Sequence, residues 1–248
     1  SCTSDDETVQ DVNDNSSVVT TFTCTQENEG TTTKAAMGPE GKTILWKSGD
    51  AISIFDGNKA NYKYSLGSES NGKSTGTFSG TGAVTGPYVA VYPYTEGATL
   101  GEDGSVSGIT LPAEQTATLY SFDPKAALMM AVSTKDKKYN LDFKNAVSLV
   151  KITTDFACKK IVLSANENIA GKGTLNYNTD APSITFKSNQ SQTITLKPET
   201  GSISFAAGTY YMVVPSITLN GFTITFTTEY DDEYMRKSTK INTFNRNM

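Results

Sequence analysis

The sequence predicts an all-β protein of two tandem β-sandwich domains, and three observations predict it. Short runs of alternating apolar and polar residues recur along the chain. The clearest is "FTITFTTEY" (222–230), where Phe222, Ile224, Phe226, Thr228 and Tyr230 face one way and Thr223, Thr225, Thr227 and Glu229 the other. Clusters of Gly, Asn, Asp and Pro separate these runs, as turns require. The best helical candidate, "DPKAALMMA" (123–131), is too short to carry an apolar face.

Taken in order, residues 1–16 ("SCTSDDETVQDVNDNS") hold a cluster of acids and almost nothing apolar, and read as a flexible tether that cannot offset its own ordering entropy. Cys2, preceded by a small residue and followed by polar ones, is what a bacterial lipoprotein signal leaves when trimmed near its cleavage point. It is therefore the candidate site of lipid attachment. From Ser17 strand patterns begin, with "SVVTTFTC" (17–24) placing Val18, Thr20, Phe22 and Cys24 on one face. "AISIF" (51–55) and "YVAVYP" (88–93) follow, and these belong to a first sandwich over residues 17–138. The polar run "STKDKKYN" (133–140) is the expected linker. A second sandwich over 139–248 takes "SLVKIT" (148–153), "KIVLSA" (160–165), "SITF" (183–186), "TITLK" (193–197), "YYMVVP" (210–215) and 222–230. The echo of Tyr-x-x-Val-x-Pro between 88–93 and 210–215 supports one such strand in each half.

Composition closes off several functions. The chain has no His, which removes Ser-His-Asp and Cys-His catalysis and His-ligated zinc. A net charge of -5 and only two arginines, Arg236 and Arg246, leave no concentrated basic surface for nucleic acid. The three cysteines lack metal-ligand spacing, and no run of about 18 apolar residues exists to span a membrane as a helix. No metal and no cofactor are expected. Carboxylate chemistry survives by count, but no acid lies inside an apolar strand where its pKa would rise, so the reading is non-catalytic.

Three further stretches have plain structural readings. "GTGAVTG" (80–86) lacks the spacing and the following helix of a phosphate loop, and reads as a hairpin connection. "EYDDE" (229–233) lacks the glycine and spaced oxygens of a calcium loop, and reads as a solvated hairpin turn. Tyr62, Tyr64, Tyr92 and Tyr94 would make a carbohydrate platform only if they formed an exposed row; alternation buries one member of each pair.

The succession "TTTKAAMGPEGKTILWKSGDAISIFDG" (31–57), "YVAVYPY" (88–94), "ITLPAEQT" (109–116), "ALMMAVS" (127–133) and "LDFKNAVSLVKI" (141–152) resembles the fimbrillin-like pilus proteins (FimA/Mfa-like) of Bacteroidetes, with "GTYYMVVP" (208–215) agreeing more loosely. The resemblance implies two transthyretin-like Greek-key β-sandwiches and a lipoprotein on the outer face of the outer membrane, with "SDDE" (4–7) as the surface-export signal. It also implies a fimbrial subunit, tip or anchor role in adhesion, with other pilus subunits as partners in a homo- or hetero-polymer and a host or bacterial surface as the adhesion target. Assembly by strand addition follows from the same likeness, with 17–24 as the removable strand. Family members are cut after Arg, which this N-terminal region lacks, leaving Lys34 as the candidate processing site. Removal requires Cys24 not to be bridged to Cys158, so both thiols are expected free. On this reading the single Trp46 plugs the core beside the Gly49–Asp50 turn, which Asp50 caps. The alternative is a surface glycan-binding lipoprotein.

Overall fold

The computed structural model of the protein describes residues 18–27, 45–136, 138–178 and 181–246. Their strands, in chain order, are β1 (Val19–Gln26), β2 (Ala51–Phe55), β3 (Asn61–Leu66), β4 (Thr75–Thr81), β5 (Val89–Tyr92), β6 (Thr99–Leu100), β7 (Val106–Leu111), β8 (Glu114–Thr116) and β9 (Met129–Val132). They continue with β10 (Asn140–Asn145), β11 (Val147–Thr154), β12 (Cys158–Ala165), β13 (Ala170–Asn178), β14 (Ala181–Ser191), β15 (Thr193–Lys197), β16 (Gly208–Pro215), β17 (Ile217–Thr228) and β18 (Glu233–Phe244). The all-β class stands. The 123–131 stretch divides into a single 3-10 turn at Pro124–Ala126, capped by Asp123, and strand β9.

The sequence reading expects a β-sandwich for the first unit; its strands pair in a closed barrel in the order β1-β10-β9-β5-β2-β3-β4. Closure is the work of β1, which pairs parallel to β10 (Thr23 to Gln26 against Asn140 to Phe143) and antiparallel to β4 (Val19 to Thr25 against Thr81 to Thr75). A sheet that closes leaves no unpaired edge. Inside lie Phe22, Trp46, Ile54, Tyr64, Phe78 and Phe143, each at most 1% exposed.

The remaining strands stack in layers. A two-stranded ribbon, β11-β16, lies between larger groups: Ile152, Tyr210, Met212 and Val214 join the core of the five-stranded sheet β18-β17-β12-β15-β8. The alternate residues Val147, Leu149, Tyr211 and Val213 join the core that runs on into the barrel, together with Val106, Ile109, Leu111 and Leu175 of the four-stranded sheet β14-β13-β7-β6. Period-two alternation thus lets one ribbon serve two cores.

Strand pairing does not divide at residue 138. The polar run 133–140 connects β9 to β10, antiparallel neighbours within the barrel, instead of linking two units. Conversely β7 pairs with β13 and β8 with β15, so part of the first half completes sheets of the second. Gln115, on β8 and fully buried, donates to the main-chain oxygen of Val213 at 2.8 Å and accepts its N–H at 2.9 Å, covering the outer edge of β16.

Candidate functional site

Strand β1 closes the barrel with one face buried and the other exposed. Phe22 and Cys24 are fully buried and Gln26 is 2% exposed, while the intervening Val19, Thr21 and Thr23 face solvent. This is the facing read from the sequence for Phe22 and Cys24, whereas Val18, just before the strand, is exposed. Phe22 meets Tyr64 and Tyr88 edge-to-face, with ring centroids 5.3 and 4.9 Å away, and Tyr139 at 5.6 Å. Edge-to-face contact sets the positive rim of one ring against the negative face of another. Burying such a side chain stabilises the strand's attachment by roughly 1.5–3 kcal/mol. At the strand's start, Thr20 hydrogen-bonds the Tyr64 hydroxyl and donates to the Ala83 oxygen at 3.1 Å.

Trp46 is the other side of this attachment. It is fully buried against Phe78, Tyr92 and Phe143, and its Nε1 donates to the main-chain oxygen of Cys24 at 3.0 Å. The turn after it holds the indole in place: Asp50 Oδ2 accepts the Lys47 N–H at 2.8 Å, and Oδ1 accepts the Tyr92 hydroxyl at 3.0 Å. Gly49, at φ 93, supplies the left-handed conformation that this turn needs. Burial raises the pKa of Asp50, with the Lys47 N–H, the Tyr92 hydroxyl and the Lys47 charge acting in the opposite direction.

The C-terminal end of β1 is held differently. Glu27 pairs with Arg246, just beyond β18, and accepts the Asn145 N–H at 3.0 Å. The neighbouring Asn245 oxygen receives the Ser148 hydroxyl at 2.7 Å. The C-terminal end of β1 and the segment after β18 therefore meet at β10 and β11. One residue earlier, the Gln26 carboxamide is buried, and among the described residues neither Oε1 nor Nε2 has a hydrogen-bond partner. The sequence reading ends this strand at Cys24; the structure carries it on to Gln26.

Other sequence candidates fall as follows. Cys2 and Lys34 lie outside the described residues. Cys24 and Cys158 are both buried free thiols, one on β1 and the other at the start of β12. The four tyrosines form no exposed row: Tyr64 is fully buried and Tyr92 3% exposed, with Tyr62 and Tyr94 half-buried. That removes the platform on which the glycan-binding alternative rested. A cleft of 290 Å³ beside Tyr94 is lined also by Asp50, Lys63 and Lys125, but Lys63 lies over the Tyr94 ring at 5.1 Å. The 229–233 acids form the β17–β18 hairpin turn, where Asp231 pairs with Lys159 at 2.8 Å. Among the described residues no group of His, Cys, Asp and Glu is placed to hold a metal, and no helix is long and apolar enough to cross a membrane.

No family model matches the chain, and no curated protein matches it. Among solved structures it is similar to a candidate cell adhesion protein from Bacteroides ovatus, at 14% identity and a TM-score of 0.52, over 92% of this chain and 89% of that one. It is also matched to a fimbrial assembly protein from Parabacteroides distasonis, at 9% identity and a TM-score of 0.37, over 93% and 88% of the two chains. The first of these likenesses shows a shared fold over nearly the whole length.

Proposed function

We propose that this protein is a non-catalytic, cell-surface component of a fimbria, acting in adhesion and assembling by β-strand addition. The observation that carries the reading is β1 itself. One eight-residue strand closes the barrel, and its inward side chains complete a core lined by Trp46, Tyr64, Phe78 and Phe143. Its departure would leave two unpaired strand edges, on β4 and β10, flanking an apolar groove. Such a groove accepts an extended strand, with main-chain hydrogen bonds giving affinity and alternate side chains giving fit. Proteolysis after Lys34 is the proposed trigger, and another pilus subunit is the proposed donor. The barrel and the stacked sheets are the two units of a tandem, transthyretin-like arrangement on this reading. The description of the similar Bacteroides ovatus structure as a cell adhesion protein agrees with it.

The lipid on Cys2 would anchor the subunit in the outer membrane with its folded part outside the cell. Imaging surface filaments in cells with and without the gene tests the role. Loss of filaments or of adhesion is expected on deletion, and unchanged filaments with unchanged adhesion would reject it. A Cys2→Ala form should lose fatty-acid labelling and leave the membrane fraction; labelling that persists would remove the anchor from the proposal.

A further inference from the structure

Four side chains of β1 point inward, and the groove treats them unequally. Thr20 has two hydrogen-bond partners and Phe22 is enclosed by aromatic rings. Cys24 is fully buried opposite Gly76, in a closely packed part of the groove: a Cβ on that glycine would stand 2.7 Å from Leu66 and 2.9 Å from the indole of Trp46. Gln26, opposite Phe143, is the exception. Its amide is shut away from water at 2% exposure, and among the described residues neither polar atom has a partner. A buried amide that gives up its water without gaining a partner opposes folding, whereas an apolar group of the same volume carries no such cost.

We propose that the strand that replaces β1 carries an apolar side chain of Leu or Met size in the Gln26 slot. Its alternate inward positions read hydroxyl, aromatic, small, apolar, running in β1's own direction. The inference rests on the reading of β1 as exchangeable, and it names the partner's chemistry: an extended segment of a second polypeptide with that pattern. β1 is then a serviceable but improvable occupant of its own groove. An incoming strand gains on it at one position, by removal of two unmet polar atoms, and matches it at the other three. The unmatched amide keeps the resident strand displaceable while the aromatic anchor at Phe22 keeps the barrel closed until displacement begins.

The test uses the full-length protein and three labelled peptides spanning residues 18–27: the natural sequence, the same with Gln26→Leu, and the Gln26→Leu peptide carrying Phe22→Ala as well. Each is incubated with the protein in mild denaturant that loosens β1, then capture is measured after dilution. The Gln26→Leu peptide should be captured about tenfold more tightly than the natural one, from the usual cost of an unsatisfied buried amide. The added Phe22→Ala change should abolish capture. Full-length Gln26→Leu should in parallel melt at a higher temperature and show slower amide exchange along β1. If no peptide is captured, the exchange reading falls and this proposal falls with it. If the natural and Gln26→Leu peptides are captured equally, exchange stands and this proposal alone is overturned, as it also is if full-length Gln26→Leu melts lower than the parent.

Discussion

The indole N–H of Trp46 donates to the main-chain oxygen of Cys24 at 3.0 Å, so the chain's single tryptophan is fastened to the strand that closes the barrel. The bond joins an element near a surface turn to a strand whose main-chain pairing is with β4 and β10. It turns Trp46 from a space-filling residue into a specific tie on β1, and makes its fluorescence a reporter of whether β1 is in place.

Trp46→Phe keeps an aromatic ring against Phe78 and Phe143 but removes the donor to Cys24. The expected loss of stability is about 1–3 kcal/mol, the ordinary cost of depriving a buried carbonyl of its partner together with some lost packing. Denaturant unfolding measures the loss, and hydrogen exchange should show it concentrated in residues 19–26. Loss spread evenly over β11 to β18 would count against a local tie.

Glu27 and Arg246 hold the far end of β1 to the segment after β18, with side-chain exposures of 9% and 24%. A double-mutant cycle with Glu27→Gln and Arg246→Gln should give a coupling energy of about 1–3 kcal/mol, above the 0.2–1 kcal/mol of exposed pairs, because the pair is partly shielded from water. Exchange of β1 amides should quicken in either single variant. Additivity of the two changes would mean that the contact contributes nothing to holding the strand.

Burial pushes the Cys24 thiol well above its ordinary value of 9.0, with the Asp142 charge adding to the effect, and burial also raises Cys158. The folded protein thus retains a proton that the unfolded chain releases above about pH 9. Stability from this source is fully present below that pH, declines as pH rises above it, and is gone once pH passes the raised value of the folded state. Between about pH 9 and 10, Cys24→Ala should reduce the downward slope of stability relative to the parent by up to about 1.4 kcal/mol per pH unit, the tyrosines contributing equally to both proteins. In native protein at pH 8 both thiols should resist alkylation. Releasing β1 should expose Cys24 alone, leaving Cys158 protected; equal reactivity of the two would contradict the account.

Much of the strand content was legible because period two is a local property. "AISIF" is β2 and "TITLK" is β15 residue for residue, and the inward face of β1 follows from alternation alone. Pairing is not local, and no stretch of sequence shows it. The 133–140 run has the composition of a linker, yet it joins two barrel neighbours, and β7 and β8 leave their own half to pair with β13 and β15. Barrel closure depends on register between β1 and strands over 50 residues away, which no window reveals. At the site, the sequence supplied the candidate strand and the core tryptophan. The Trp46 to Cys24 bond, the Glu27 to Arg246 pair and the unmatched Gln26 amide all depend on residues distant in sequence meeting in space.

The most direct test of the central claim, that β1 is a removable strand whose place another strand takes, is to cut the full-length protein lightly with a Lys-specific protease and follow Trp46 emission and oligomer size together. Cleavage after Lys34 should shift the emission to longer wavelength as β1 leaves and water reaches the indole. It should also produce oligomers that survive SDS, with Lys34→Gln showing neither change. A chain cut at Lys34 that keeps its buried tryptophan emission and remains a monomer would contradict assembly by strand replacement.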